Sequence, residues 1–467
     1  MKKFDLIVIG LGPAGMAVSI MASEMGLKVA GIEKHKIGGE CMNVGCIPSK
    51  AILREALNYY HSINFLNIEN PTYTKQHLFE NINKSLEYIN DKKTIGMFSK
   101  VKLYLGNDAK FINKKTVKVG EETITAPKIF ICTGTKPFIP PIPGIDSVDY
   151  LTNETIFSLD KLPKSMIIIG GGAIGSEMAQ AFSRLGTKIS IVHMDPNLMY
   201  GPNKHSKFIM EDILLKEGID IFNSRKILSI EKSNNNIILK TDKNESIIGE
   251  KLLVAAGRTR DFTSMELEKA NIKYDRNGIK VNNYLQTNIK HIYAAGDVNG
   301  HFLLSHAAMH QGMISLINSM LPWVFKMNFK KFIVPWTVFT DPQISYAGMS
   351  EYELKEKNIY YETYISKYQD YGAAIAENIA VGHVKILCSK WGKIYGAEIA
   401  GEGSGEMINE IALAIQNNLK MHNIMFLQHS FPTMGFLIKR VAESWMMKRM
   451  ESKFLKKSAK FFFKIFK

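Results

Sequence analysis

Cysteine is scarce in this chain, which has four in 467 residues. Four thiols cannot build the disulfide framework of a small secreted protein, so the composition indicates a reducing compartment, and we expect a cytoplasmic protein. Long apolar runs are lacking too, since no stretch reaches the roughly 18 uninterrupted apolar residues of a membrane-spanning helix. The composition that remains is that of a globular enzyme, 46% hydrophobic and 10% aromatic, with enough length for about three domains.

Acidic residues are in the minority, with 44 Asp and Glu against 59 Lys and Arg, a formal net charge of +15. Such an excess points to an acidic partner only where it is clustered. Residues 446–467 contain eight basic residues and one acidic residue, which leaves 51 basic and 43 acidic residues, or +8, in the other 445. Nearly half of the excess positive charge therefore lies in this one C-terminal segment.

That segment has the pattern of a basic amphipathic helix. At about 100° per residue, seven of its eight basic residues fall within an arc of about 100°, and most of its large apolar residues within about 160° opposite. Such helices lie on membrane surfaces, so we predict peripheral docking on the anionic cytoplasmic leaflet. A helix that packs on a partner subunit is the alternative. A nucleic-acid partner is not expected, because it gives little reason for an apolar stripe.

The first 23 residues carry two conflicting signals. A basic start and an apolar stretch are typical of a secretory signal peptide, but Asp5 interrupts the stretch. Residues 4–9 have the composition of a buried strand, and the strand-to-helix turn that follows carries a GxGxxG motif of Gly10, Gly12 and Gly15. Such a turn binds a pyrophosphate at the helix N-terminus, and Glu33 ends the next strand, where an acid accepts hydrogen bonds from a ribose. We therefore predict a dinucleotide site.

A second copy of this turn follows later in the chain. A strand over residues 166–169 leads into a helix that carries Glu177, and the turn between them contains Gly170, Gly172 and Gly175. A lone GxGxxG is a weak signal, but two dinucleotide sites in one chain imply that electrons pass between two cofactors.

Two of the four cysteines, Cys41 and Cys46, lie in the segment GGECMNVGCIPSK, residues 38–50. A zinc site would need further Cys or His ligands nearby, and none follow, so we expect no metal here. Two buried structural thiols are the plain alternative. The spacing favours a redox disulfide, because a dithiol accepts two electrons and passes them on by thiol exchange.

Together these motifs resemble those of the class I pyridine nucleotide-disulfide oxidoreductases, the family of dihydrolipoamide dehydrogenase, glutathione reductase and mercuric reductase. Further similarities lie in family order along the chain, at residues 131–135 (ICTGT), 256–258 (AGR), 287–297 (TNIKHIYAAGD) and 334–342 (VPWTVFTDP). The resemblance implies an α/β fold with two Rossmann-like dinucleotide-binding domains, for FAD and NAD(P), plus a C-terminal α+β dimerisation domain and a homodimer.

The implied domains are an FAD-binding domain over residues 1–148, an NAD(P)-binding domain over 149–265, a return to the FAD domain over 266–333, a dimerisation domain over 334–445 and the basic tail over 446–467. Residues 58–100 are expected to form a mostly helical insertion within the FAD domain. A final small-molecule electron acceptor is implied as well.

The resemblance also implies roles for individual residues. Lys50 and Glu177 would form an ion pair beside the flavin N5, and a helix starting near Ala307 would direct its N-terminal dipole at the flavin ring. The other FAD contacts would be Gly10, Gly12, Gly15, Glu33, Gly39, Ala109, Thr133, Gly134, Gly257 and Asp297. NAD(P)H would bind at Gly170, Gly172, Gly175, Glu177 and His193.

The implied electron path runs from NAD(P)H to FAD and on to the Cys41/Cys46 disulfide. Cys46 would contact the flavin, and Cys41 would be the exposed thiolate that meets the final acceptor. NAD-type relatives place an acid after the second strand of the nucleotide domain, and NADP-type relatives place an arginine nearby. This chain has His193 and Met194, so neither pattern is met, and the lack of an arginine favours NADH over NADPH.

One part of the family pattern is missing. Disulfide-reducing members end with HxHPTxxE, whose second histidine is the acid-base and whose glutamate orients it. Here Phe431 and Phe436 occupy those two positions. His429 lies two residues before Phe431, and residues i and i+2 of an extended segment point the same way, so it could partly substitute.

The loss of both residues predicts a different acceptor and favours a quinone or a metal ion, and a small disulfide stays open as a third acceptor. Mercuric reductase also lacks this histidine, but its C-terminal cysteine pair has no counterpart here, since the last cysteine is Cys388. Two alternatives stay open. One is a dihydrolipoamide dehydrogenase that uses His429, and the other is a non-catalytic, membrane-docked flavoprotein sensor.

Overall fold

The computed structural model describes residues 1–66, 76–199 and 205–466. The chain forms two compact units, one of Met1–Pro196 and Glu217–Lys331 and the other of Asn197–Lys216 and Phe332–Lys467. The main segment of the second unit begins at Phe332, close to residue 334, where the dimerisation domain is predicted to start. The second unit also includes Asn197–Lys216, which the sequence placed in the NAD(P) domain, because the helix in this segment contacts a strand of the second unit.

The α-helices are, in chain order, α1 Pro13–Glu24, α2 Gly39–Asn43, α3 Cys46–Leu66, α4 Gln76–Glu87, α5 Ala173–Arg184, α6 His205–Lys216, α7 Ser305–Met320, α8 Glu351–Glu356, α9 Gly372–Ala376, α10 Ser404–Gln416, α11 Met421–Phe426, α12 Phe436–Met450 and α13 Lys453–Ile465.

A five-stranded parallel sheet carries the first glycine turn. Its strands lie in the order Ile292–Ala294, Lys128–Ile131, Leu6–Ile9, Val29–Glu33 and Lys102–Leu105. The central strand is wholly apolar and buried throughout, as expected of a parallel sheet covered on both faces. The edge strand Ile292–Ala294 comes from a late segment of the unit. The chain therefore returns to this sheet, as predicted.

A second five-stranded parallel sheet carries the second glycine turn. Its strands lie in the order Tyr150–Leu151, Lys251–Val254, Ser165–Ile169, Lys188–Val192 and Asp220–Phe222. Smaller sheets complete the unit: Lys2–Lys3 with Glu122–Thr125, Thr116–Val119 and Ala109–Asn113; Ile227–Ser233 with Asn236–Thr241 and Ser246–Gly249; Arg258–Thr259 with Lys136–Pro137; and Tyr274–Asp275 with Gly278–Ile279.

Both strand-to-helix turns depend on glycine for the same physical reason. Gly10 and Gly170 have φ angles of +87° and +117°, in a region that side chains with a Cβ rarely adopt. At Gly15 and Gly175 an added Cβ would overlap the carbonyl oxygen of Gly10 and of Gly170, respectively. The helix therefore packs directly against the turn, and only glycine allows this approach.

The helical insertion is confirmed over the described residues. α3 starts earlier than expected, at Cys46, and runs without a break to Leu66. After α4 the chain continues as a π-helix over Tyr88–Thr94 and a 3-10 helix over Ile95–Phe98. Residues 67–75, which belong to the predicted insertion, lie outside the described residues.

The second unit is built on an antiparallel sheet, in agreement with the predicted α+β domain. Its strands lie in the order Trp336–Val338, Ile344–Gly348, Ile394–Ala400, His383–Cys388 and Glu362–Lys367. α10, α11 and α12 bury an apolar cluster against this sheet, including Ile411, Ile424, Leu437 and Trp445.

The tail predicted as one helix over residues 446–467 is two helices, so that prediction was wrong. α12 runs to Met450, because its apolar stripe is buried in the core of the second unit up to Trp445. The last turn of α12 is held by Arg449, which pairs with Glu362 and donates to the hydroxyl of Tyr364 at 2.8 Å. α13 starts after a break at residues 451–452. None of the helices in the described ranges combines the length and apolarity needed to cross a bilayer.

The contact between α1 and α7 gives a test of this packing. An alanine normally stabilises a helix interior over glycine by about 1 kcal/mol. At Gly312 in α7, however, an added Cβ would overlap the carbonyl oxygen of Ala14 in α1. Gly312→Ala should therefore destabilise the protein by about 1–3 kcal/mol, which a lower midpoint of thermal unfolding would show.

Gly96→Ala is the matched control, because no atom lies within 4 Å of a Cβ placed there. It should change the free energy of unfolding by less than about 0.5 kcal/mol. Equal midpoints for the Gly312 variant and the control would contradict the close helix contact.

Candidate active site

A cavity of about 1220 Å³ opens at the carboxyl ends of the first parallel sheet. This volume exceeds the usual 300–1,000 Å³ or so of small-ligand pockets and suits an extended dinucleotide. Of the predicted FAD contacts, those that line it are Gly10, Gly12, Glu33, Gly39, Ala109, Thr133, Gly134 and Asp297. Most of the predicted FAD contacts thus line this cavity.

The glycine turn and Gly39 leave room that any other residue would fill. Gly39 has a φ angle of +57°, and a Cβ on it would lie 2.9 Å from the Cα of Gly12. Gly12 is the N-cap residue of α1, so the first turn of that helix faces the cavity. This is the arrangement in which free backbone N–H groups bind a pyrophosphate.

Glu33 lies at the end of its strand as predicted, and its carboxylate is held by the backbone. It accepts hydrogen bonds from the N–H groups of Leu11, at 2.7 Å, and His35, at 2.8 Å. A carboxylate has about four acceptor positions, so two stay open for ribose hydroxyls. The fixed position of Glu33 fits the ADP half of FAD.

Arg258 and Glu40 form an ion pair at the cavity that the sequence did not reveal. The Nε of Arg258 also donates to the hydroxyl of Thr135 at 2.5 Å. The second carboxylate oxygen of Glu40 is buried and has no hydrogen-bond partner among the described residues. An unsatisfied buried oxygen is costly, and a bound group with a hydroxyl or N–H donor would satisfy it. This buried carboxylate oxygen is a second feature of the cavity that fits FAD.

Asp297 follows the edge strand of the same sheet and lines the cavity. Burial raises the pKa of its carboxyl group, and the nearby Arg258 guanidinium opposes that shift. The carboxyl group therefore lies inside the cavity, where the family resemblance places the ribityl chain.

The helix predicted to start near Ala307 starts at Ser305 instead. Ser305 and Ala308 line the cavity, whereas Ala307 is buried and is not among the lining residues. The N-terminal turn of α7 still faces the cavity through Ser305, and the contact of its dipole with the flavin stays a prediction.

Cys41 in α2 and Cys46 at the start of α3 are both free thiols. A hydrogen bond between the two side chains lowers the pKa of Cys46 to about 6, helped by the hydroxyl of Ser305 and the charge of Lys50. The Sγ of Cys46 lies 3.3 Å from the Oγ of Ser305. The same thiol-thiol hydrogen bond, together with burial, raises the pKa of Cys41.

In the reduced pair the negative charge therefore lies on Cys46 and the proton on Cys41. A lowered pKa is what the predicted role of Cys46 as the thiolate beside the flavin requires, and that role stays a prediction. The exposure of the pair differs from the prediction that Cys41 is the exposed member, because Cys41 is half-buried and Cys46 is exposed. Cys41 must lose its proton before it can attack an acceptor.

Lys50 and Glu177 form the predicted ion pair, with the ammonium group 2.7 Å from a carboxylate oxygen. Lys50 lies one turn after Cys46 in α3, and Glu177 lies in α5, which opens the second dinucleotide fold. The Glu177 side chain is 8% exposed and the Lys50 side chain 34%. The pair thus joins the cysteine helix to the nucleotide helix.

His193 lies immediately after the second strand of the nucleotide fold, as predicted, and is buried. Its Nε2 is 2.6 Å from the side-chain oxygen of Asn223. Arg225, which the sequence analysis missed, is close in the fold because its N–H donates to the carbonyl of His193. The guanidinium of Arg225 makes two hydrogen bonds to Glu245, at 2.7 and 2.9 Å. The positive charge of Arg225 is therefore balanced by Glu245 within the protein.

His429, in the second unit, is far more buried than Phe431, although the rings of both residues contact the ring of Phe436. Its side chain is 7% exposed, and its Nε2 is 3.1 Å from a carboxylate oxygen of Glu410 in α10. Phe431 is 71% exposed and contacts the ring of Phe436, at 5.4 Å between centroids. The hydrogen bond to Glu410 holds the histidine ring in place, and the substitution of His429 for the missing histidine stays a prediction. No sequence signal marked Glu410.

Residues 4–312 match the pyridine nucleotide-disulphide oxidoreductase family, and residues 334–441 match its dimerisation domain. The chain belongs to this family. It is 33% identical to a dihydrolipoyl dehydrogenase of Buchnera aphidicola subsp. Acyrthosiphon pisum, over 94% of this chain and 95% of the relative. It is 30% identical to a mercuric reductase of Staphylococcus aureus, over 90% of this chain and 78% of the relative.

A similar fold occurs in the HOCl-induced flavoprotein disulfide reductase RclA from Escherichia coli. The TM-score is 0.85 at 24% identity, over 94% of this chain and 99% of that one. Membership of the family makes the chain a flavoprotein oxidoreductase that uses FAD and NAD(P)H. The dimerisation domain supports a homodimer.

The contact between Ser305 and Cys46 gives a test by pH. Because the pKa of Cys46 is lowered to about 6, its thiolate is present above that pH and is lost as the pH falls through it. Ser305→Ala removes one stabilising hydrogen bond and should raise that pKa. We expect slower alkylation of Cys46 by iodoacetamide near pH 6 and unchanged alkylation near pH 9, measured by peptide mass spectrometry on the anaerobically reduced protein.

Ser49→Ala is the control, because the Ser49 hydroxyl donates to the carbonyl oxygen of Cys46 and not to its sulfur. It should leave the pH profile in place. A Ser305→Ala profile that coincides with the unmodified protein would show that this hydroxyl does not stabilise the thiolate.

Proposed function

We propose that this enzyme passes electrons from NADH through FAD and the Cys41/Cys46 pair to a small acceptor other than a disulfide, namely a quinone or a soft metal ion. The observation that carries the proposal is the pair Phe431 and Phe436, which stands where the disulfide-reducing relatives have a histidine and a glutamate. When bound, FAD supplies the exchange of an electron pair between the nicotinamide and the cysteines.

The residues of the chain give each part of this transfer a physical basis. Cys46 holds the negative charge of the reduced pair, with the hydroxyl of Ser305 and the charge of Lys50 stabilising it. Glu177 orients Lys50 through their ion pair. A fixed positive charge near the reacting groups stabilises charge that develops there, without reorganisation at the moment of reaction.

The proton on Cys41 favours an acceptor that needs no histidine. Disulfide reduction requires Cys41 to lose its proton and the leaving sulfur to gain one, and Phe431 can do neither. Oxidation of the pair releases two electrons, which is what converts a quinone to a quinol, with one proton from Cys41 and one from solvent. A soft metal ion binds thiolates directly and displaces the Cys41 proton itself.

The aromatic side chains near Phe431 suit a flat acceptor such as a quinone. Phe431, Phe436 and Tyr371 contact one another in the second unit, with centroids 5.4 to 6.4 Å apart. Aromatic rings stack on one another with offset or edge contacts. In the family, the corresponding segment is supplied to the partner's cysteines, so this cluster would meet the acceptor.

NADH is the nicotinamide we propose. His193 is held by Asn223, and the guanidinium of Arg225 is held by Glu245. A 2′-phosphate needs a cation that can turn to it, and a bidentate carboxylate pair removes that freedom. The low number of cysteines favours a cytoplasmic location.

Dihydrolipoamide dehydrogenase activity is the second candidate, and the contact of His429 with Glu410 favours it. A histidine oriented by a carboxylate is the arrangement that the family uses as its acid-base. The Buchnera relative carries that activity in its name. Against it stands the burial of the His429 side chain. The hypothesis of a non-catalytic sensor requires that turnover has been lost. The presence of Lys50, Glu177 and the cysteine pair argues against it.

An acceptor screen separates the first two candidates. With saturating NADH, we expect turnover with a short-chain quinone or a soft metal ion and little with lipoamide. His429→Ala should leave quinone or metal-ion turnover within about twofold, since general acid-base catalysis by histidine would be worth about 10²–10⁴.

Fast turnover of dihydrolipoamide with NAD that His429→Ala abolishes would overturn the proposal in favour of the second candidate. Glu410→Gln should then show the same loss, because it removes the carboxylate that orients the histidine. Absence of turnover with all acceptors would instead favour the sensor.

Restoring the family dyad gives a complementary test. Phe431→His with Phe436→Glu in one variant should raise lipoamide turnover by at least about tenfold, because an acid-base then stands where relatives have it. Quinone or metal-ion turnover should not rise. The single variant Phe436→Glu is the control. No gain in lipoamide turnover would mean that the two phenylalanines do not select the acceptor.

A further inference from the structure

α13 is a helix with an exposed aromatic surface. None of its residues is buried. Phe461 and Phe462 are 60% and 54% exposed, and Phe466, just after the helix, is 82% exposed. Their rings contact one another, at 5.7 Å for Phe461–Phe462 and 6.3 Å for Phe462–Phe466. A contiguous exposed aromatic patch of this kind marks an interaction surface.

The charges of α13 are arranged around that patch. The helix contains five lysines and no acidic residue, a net charge of +5. At about 100° per residue the lysines fall within an arc of about 100°, beside the arc of about 120° that holds most of the apolar side chains. The lysines are Lys453, Lys456, Lys457, Lys460 and Lys464, all of them exposed. Phe463 is the exception, since it lies on the lysine side.

The start of α13 is fixed to the second unit. Trp445 of α12 is buried in the core, and Arg449 is held by Glu362 and Tyr364. Residues 451–452 then interrupt the helix. The apolar face of α13 is therefore separate from the apolar stripe that α12 buries. The break explains why the tail can present an apolar face of its own while the preceding turns belong to the fold.

We propose that α13 docks in the plane of an anionic phospholipid surface, with its aromatic face in the headgroup and acyl boundary and its lysines among the phosphates. Charge complementarity selects this occupant: the helix is purely basic, and the basic and apolar arcs adjoin, as in helices that lie at membrane interfaces. An anionic leaflet attracts such lysines, and a neutral one does not. The proposal is independent of the electron acceptor.

The experiment is co-sedimentation of the full-length, FAD-loaded protein with lipid vesicles. One set of vesicles is phosphatidylcholine alone, and the other contains roughly one-third phosphatidylglycerol. We expect binding to the anionic vesicles, at least about tenfold weaker binding to the neutral ones, and a fall in binding as salt rises and the Debye length shortens.

Two variants separate the two faces of α13. The first is Phe461→Ser with Phe462→Ser and Phe466→Ser, and the second is Lys456→Glu with Lys457→Glu and Lys460→Glu. Each should lower binding to anionic vesicles by at least about tenfold, because interfacial binding needs both apolar burial and charge attraction. NADH oxidation with a soluble acceptor should be unchanged, since α13 is outside the site.

Matched controls use exposed residues elsewhere on the chain. Lys118→Glu with Lys161→Glu and Lys355→Glu makes the same change in net charge at exposed positions. Phe325→Ser with Trp391→Ser and Phe426→Ser removes three exposed aromatic side chains. Both controls should bind the anionic vesicles as the unmodified protein does.

Two results would overturn the proposal. Equal sedimentation of the unmodified protein and the α13 variants would do so. So would a loss of the dimer in the phenylalanine variant, seen by light scattering, together with no vesicle binding by the unmodified protein, since α13 would then pack on a second copy. Preferential binding of duplex DNA that survives the phenylalanine changes would point to nucleic acid instead and would contradict membrane docking.

Discussion

The ion pair between Lys50 and Glu177 is the interaction on which the rest of the site depends. It joins α3, which starts with Cys46, to α5, which starts after the second glycine turn. Glu177 is almost fully buried, so without Lys50 its charge would be left in the protein interior without its main partner. One contact thus holds the redox cysteine, the nucleotide helix and a positive charge in a single geometry.

That geometry also determines which cysteine of the reduced pair carries the proton. The charge of Lys50 and the hydroxyl of Ser305 favour the thiolate of Cys46, and the hydrogen bond from Cys41 leaves the proton on Cys41. In the disulfide-reducing members that the chain resembles, a histidine is the acid-base for the transfer to the acceptor. The family resemblance puts Phe431 and Phe436 at the positions of that histidine and its glutamate, and the buried side chain of His429 is held by Glu410. The described residues thus include the Lys50–Glu177 pair and the two cysteines, while the sequence has phenylalanine at the two positions where the family resemblance implies a histidine and a glutamate.

Local sequence was enough to predict the features that depend on local geometry. The glycine turns were predictable because a Cβ at Gly15 or Gly175 would meet a carbonyl oxygen a few residues away. The family resemblance added Lys50 with Glu177 and the order of the domains. Contacts between distant residues were not predictable, as with Arg258 and Glu40, because their pairing depends on how two separate segments pack. The break between α12 and α13 escaped notice for the same reason, since the burial of Trp445 decides where the first helix ends.

The most direct test of the account is an anaerobic titration with NADH, followed by flavin absorbance, on the unmodified protein and on Cys46→Ser. If the cysteine pair accepts electrons after the flavin, the unmodified protein should consume about two equivalents of NADH per chain before the flavin is fully bleached, and the variant about one. A long-wavelength band that the variant lacks should accompany the first equivalent. Equal consumption of about one equivalent by both proteins would show that the cysteines take no part, and would contradict the central claim.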